Sequence, residues 1–130
     1  MKSQAKGLVA GLAMVLAWSS SAYAACNGAE IVGAWDVTFS DGNSCVLMLD
    51  LHGDVIAGES LCYDPFRGST APDSGTYTVA KDCSVHINLV VEGLPVDLAG
   101  RIARGRANGA GRYLVPAYSV KGAFTMVRLP

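Results

Sequence analysis

Charge is scarce in this chain, at 16% of residues, and large aromatics are scarcer, with three Phe and two Trp among 130 residues. With 51% hydrophobic residues, that composition excludes a disordered chain. A formal net charge of −1 excludes a general polyanion-binding surface. Only His52 and His86 are available as imidazole ligands and no C-x-x-C pair occurs, which excludes an ordinary zinc set. Gly-rich phosphate loops and G-x-S-x-G are also missing. No segment carries a helical 3.6-residue period, and after residue 24 no apolar run approaches 18 residues. The length suits one domain.

What the chain does have in quantity is glycine, 15 residues, the mark of many short elements joined by turns. At the start, Lys2 and Lys6 precede an apolar run from Gly7 to Trp18, and Ala22-Tyr23-Ala24 follows. This is the three-region pattern of a signal peptide, 1–24, cut after Ala24. A lipoprotein signal would have an aliphatic residue three positions before Cys26, where Tyr23 stands. The expected mature chain is a single domain, 25–130, periplasmic or secreted, with no transmembrane segment. It holds 8 basic and 11 acidic residues, net −3. Its Cys26, Cys45, Cys62 and Cys83 suggest two disulfides in an oxidising compartment.

Apolar/polar alternation recurs, the period of half-buried strands. Trp35, Val37 and Phe39 share one parity; so do Leu47, Leu49 and Leu51, then Val85, Ile87, Leu89 and Val91, then Val96, Leu98 and Ile102. Further strands fit 55–62, 75–80, 109–115 and 123–129. Eight short strands with short joints predict an all-β, eight-stranded antiparallel up-and-down β-barrel, with a β-sandwich as the alternative. His52 and His86 fall on the outward parity. The inward side chains fill a narrow barrel or leave room for one small ligand, and Gly58 and Gly100 mark bends or open space among them.

A two-residue turn at Gly53-Asp54 would pair residues whose numbers sum to 107, setting Leu51 against Ile56 and Cys45 against Cys62. The last pair is a non-hydrogen-bonded one, close enough for a disulfide. It also leaves Leu47, Leu49, Leu51 and Ile56 on one face. The up-and-down order places Cys26 and Cys83 together at the lower end, where strand one begins, so Cys26–Cys83 is the second pair.

Closure of the barrel sets the last strand beside the first and brings Arg128 to Trp35, where a guanidinium can cover the indole. Gly33-Ala34-Trp35 with the late Arg128 resembles the calycin superfamily of lipocalins, avidins and fatty-acid-binding proteins. The short length, export signal and disulfides resemble its small bacterial metalloprotease inhibitors. The resemblance implies a binding role and gives Gly33, Trp35 and Arg128 a structural one. It implies no particular ligand: the chain is short for a lipocalin, lacks an avidin's several Trp, and has few residues ahead of strand one to insert into a protease.

No catalytic constellation appears, and the reading is of a protein that is not an enzyme and takes no cofactor or metal. Two places suggest binding. Tyr63, Phe66 and Arg67 lie in the longest loop, 63–73, with Tyr118 at the same upper end. Arg101, Arg104, Arg106 and Arg112 gather near the turn between strands six and seven at the lower end. They belong to a half, 98–130, with six bases and no acid, whereas 25–97 holds all 11 acids against two bases. The expected function is an exported binding protein for a small apolar or anionic ligand. The alternative is an inhibitor or interaction protein directed at a secreted protein such as a protease. Nucleic acid is excluded by the acidic mature chain.

Overall fold

The computed structural model describes residues 25–130; the expected signal peptide lies outside the described residues. Nine antiparallel strands follow in chain order: β1 (Gly33–Phe39), β2 (Ser44–Leu49), β3 (Leu61–Asp64), β4 (Gly68–Thr70), β5 (Ser74–Val79), β6 (Ser84–Val91), β7 (Leu94–Ile102), β8 (Asn108–Val115) and β9 (Val120–Arg128). They form one sheet in the order β4-β3-β2-β1-β9-β8-β7-β6-β5. The all-β up-and-down arrangement is as expected, with the last strand beside the first. Only short 3-10 turns interrupt it, at Gly28–Ile31, Ala57–Glu59 and Pro116–Tyr118.

The ninth strand is a correction. The stretch 63–73 is not one loop. Asp64 Oδ1 accepts the Phe66 N–H at 2.8 Å, and the Arg67 N–H donates to the Asp64 carbonyl at 3.2 Å. Asp followed by Pro65 fits such a turn, and Gly68, at φ +88°, takes the left-handed step that starts β4.

The curl is incomplete. β4 and β5 are the two ends of the sheet and share no ladder. Only lower down does residue 53–55 backbone reach β5: Val55 N–H donates to Gly75 O at 2.9 Å and Tyr77 N–H to Gly53 O at 2.8 Å. The sheet is barrel-like, with a seam that opens toward the upper end.

The β2–β3 connection corrects a second expectation. At the disulfide the pairs are Ser44↔Tyr63, Cys45↔Cys62 and Val46↔Leu61, as the 107 sum requires. Near the turn, however, Leu49 pairs with Val55, a sum of 104. The chain turns over 50–54, where Asp50 Oδ1 accepts the N–H groups of His52 and Asp54 at 2.8 and 2.9 Å. These two hydrogen bonds hold the Asp50 carboxyl below the usual carboxylate range, the one from Asp54 most strongly. The offset of three residues is taken up by the three-residue turn Ala57–Glu59. Buried Ser60 repairs the interrupted ladder, its Oγ accepting the Met48 N–H at 2.9 Å and donating to the Ile56 carbonyl at 2.8 Å. Val55, not Ile56, therefore enters the core, Leu51 is 67% exposed, and Gly58 is outside. Gly100 is no open space either: a Cβ there would strike the Ala110 carbonyl of β8.

The lower end is filled. Trp35, Val37, Leu47, Ile87, Leu98 and Met126 are essentially without solvent contact. Trp35 Nε1–H donates to the Ile31 carbonyl at 2.9 Å, and the Arg128 guanidinium lies 4.8 Å from the indole centroid. Arg128 donates to the carbonyls of Val32 (2.9 Å), Arg106 (3.2 Å) and Glu30. Gly33 allows this approach: its φ is +129°, and a Cβ on it would stand 3.4 Å from Arg128 Nη1. Both expected disulfides are present, with Cα separations of 3.9 Å for Cys45–Cys62 and 5.1 Å for Cys26–Cys83. No helix among the described residues is long and apolar enough to cross a membrane.

Candidate functional site

Above the filled layer the strands on either side of the seam diverge and leave a cavity of about 270 Å³. That is close to the size at which small-molecule sites begin. Its floor is made by Phe39, Leu89 and Tyr113, all buried. The Phe39 and Tyr113 rings meet edge to face, 5.1 Å apart at 82°. Gly122 makes room for this: a Cβ on it would come within 2.8 Å of the Tyr113 ring. The walls are Val91, Leu94, Val96, Val115 and Val120, with the Cys45–Cys62 disulfide on one side.

Leu94 and Val96 reach the wall because the β6–β7 turn is tight. Glu92 and Gly93 both have positive φ, +51° and +80°, and Val91 pairs directly with Leu94. This matches a two-residue type I′ hairpin. Leu94 and Pro95 are thus strand, not turn as their composition suggests.

The mouth is polar: Asp41, Asp64, Arg67 and Glu92 line it together with Tyr63 and Tyr118. Arg67 in the β3–β4 turn and Glu92 in the β6–β7 turn form an ion pair across the seam, their side chains 65% and 48% exposed. Burial pushes the Tyr113 phenol above its ordinary range; a Ser40 hydrogen bond opposes this and the Asp41 charge adds to it.

The structure separates the residues singled out from sequence. Tyr63, Arg67 and Tyr118 line the cavity, whereas Phe66 stands outside it at the turn tip, 94% exposed. Arg101, Arg104 and Arg106 lie at the opposite, lower end. Arg112 does not join them: it sits mid-strand in β8, between Ala99 and Ala123. The basic half is also partly neutralised by the acidic one. Arg101 Nη2 lies 3.7 Å from Asp82, and Arg106 Nε approaches Glu30 to 3.1 Å without aligning as a hydrogen bond. Part of the sequence segregation of charge is thus offset where Arg101 and Arg106 face acids of the other half. His52 and His86 are exposed, as their parity indicates.

Sequence reasoning did not single out Asp41, Asn43, Glu92, Tyr113, Leu94, Val115 or Val120, although it placed Val91 and Val96 on the inward parity. For Leu94 the available signal was parity: it extends the inward series of Val96 and Leu98. Among the described residues no group of three His, Cys, Asp or Glu could hold a metal ion. No family model and no curated protein matches this chain.

Proposed function

We propose that this chain is an exported, non-catalytic binding protein whose small apolar ligand occupies the upper cavity. The observation that carries this reading is the division of one barrel-like sheet into a sealed lower core and an apolar-walled cavity opening to solvent. A protein that needs only to be stable fills both. The two disulfides support an oxidising compartment, hence the periplasmic or secreted location. The stacking of Arg128 on Trp35 supports the calycin-like reading. The seam between β4 and β5 departs from a fully closed barrel.

Calorimetric titration with octanol, a neutral apolar probe, tests the reading. Saturable one-to-one binding is expected for the folded protein and should disappear in Val96→Trp, which fills the cavity from its wall. No saturable heat with the original protein would refute it. A second reading, interaction with a secreted protein, draws on one observation: Phe66, Tyr118 and Tyr63 project at this same end, 94%, 67% and 48% exposed. Native mass spectrometry of protein purified from its host separates the two by the mass of what travels with it.

A further inference from the structure

Resting on the reading of the upper cavity as a ligand site, we propose that the ligand carries a positive charge on its apolar body. The charges at the mouth decide its class. Asp41, Asp64 and Glu92 stand there against a single cation, Arg67. Arg67 is already engaged by Glu92 across the seam, and that pair is neutral as a unit. Asp41 and Asp64 then remain as net negative charge.

Their hydrogen-bond partners do not cancel it. Asp41 Oδ1 accepts the Asn43 N–H at 2.9 Å, and Asp64 Oδ1 accepts the Phe66 N–H at 2.8 Å. These turn bonds are uncharged; Asp41 Oδ2 also accepts the Asn43 side-chain amide at 3.5 Å and the Asp41 carboxylate meets the Tyr113 hydroxyl, and neither contact brings a compensating positive charge. The two turns pack together, since a Cβ on Gly42 would lie 3.6 Å from Pro65. One cationic group entering there could answer both carboxylates.

Two features of the interior agree. The negative field reaches the floor, where the Asp41 charge adds to burial in raising the Tyr113 phenol. The floor itself presents the rings of Phe39 and Tyr113, a surface that accepts an ammonium group better than a carboxylate. An anionic ligand would have to take Arg67 from Glu92 and then sit beside two like charges. An anionic ligand is thereby disfavoured at this end.

Three probes with one tail test the proposal on the folded, disulfide-intact protein: octyltrimethylammonium, octanoate and octanol, titrated at low salt. The ammonium is expected to bind about tenfold more tightly than octanoate, a gap that narrows as salt screens the rim. In Asp41→Asn/Asp64→Asn the turn bonds can still form, and the ratio of ammonium to octanol affinity should fall several-fold. Glu92→Gln should raise octanoate affinity by releasing Arg67. If octanol binds but octanoate binds the original protein as tightly as the ammonium, the proposal is overturned. A ratio unmoved by the double variant overturns it as well. If none of the three binds, the cavity reading itself fails and takes this inference with it.

Discussion

The two ends of this sheet use the same kinds of residue differently. At the lower end an arginine meets backbone carbonyls and an indole face, and the side chains beneath it are buried. At the upper end another arginine meets a carboxylate in solvent, above a cavity. Arg128 has acceptors fixed by backbone geometry, so its desolvation is offset and its position is rigid. Arg67 has a single partner and both side chains are solvent-exposed, and exposed pairs of that kind contribute little to stability. Stability is therefore concentrated at one end, and the freedom to admit a ligand is left at the other.

The largest way to break this contrast is at the lower end. Trp35→Ala should destabilise folding by about 3–5 kcal/mol, as truncation of a large buried aromatic does. Arg128→Ala should cost less, and a double-mutant cycle by urea denaturation should show the two coupled. Independent effects would mean that the guanidinium does not support the indole.

The disulfides come next, one from each end. Cys26 and Cys83 are 57 positions apart, and opening that loop should cost roughly 4 kcal/mol by chain entropy. Binding at the upper cavity should barely change. Cys45 and Cys62, 17 apart, should cost roughly 3 kcal/mol but also weaken binding, because they form part of the cavity wall. Thermal melts paired with octanol titration check both; equal effects on binding would erase the division between the ends.

The smallest effect belongs to the rim. Arg67→Met should change stability by less than about 1 kcal/mol at low salt, and by less still at high salt. A loss of several kcal/mol would show that the seam is held by this pair and that the upper end is as structural as the lower.

The regular strands were legible because burial imposes a period of two on them, and Cys45 could be matched to Cys62 through that period. The turn beside it was not legible. Gly53-Asp54 resembles a tight hairpin, but the Asp50 carboxylate binds two N–H groups and draws the chain into a wider turn. The register at the disulfide agreed only because a three-residue turn absorbs the difference. The aromatic loop named Tyr63, Arg67 and Tyr118, which line the upper cavity. Parity already turned Val91 and Val96 inward, but how far the strands diverge at a seam, and so whether a cavity opens there, was not legible because no local pattern records it. Of the arginine cluster, the approach of Arg101 to Asp82 and of Arg106 to Glu30 was not legible, because it is decided by topology rather than by distance along the chain.

β9 has a consequence for how the molecule assembles. It lies between β1 and β8, with Trp35 opposite Arg128 and Phe39 opposite Phe124. The run β5 to β8 can form through neighbouring hairpins, and so can β1 to β4, since each pairs strands adjacent in the chain. Apart from the short bridge from residues 53–55 to β5, β9 is what joins these two halves strand to strand, and its ladder with β1 closes nearly the whole described chain into a loop. Contacts between distant residues form slowly. Until β9 docks, β1 presents an unpaired edge, the kind through which two copies of a chain can join. The rate of that single docking step sets how long each new molecule spends vulnerable to aggregation.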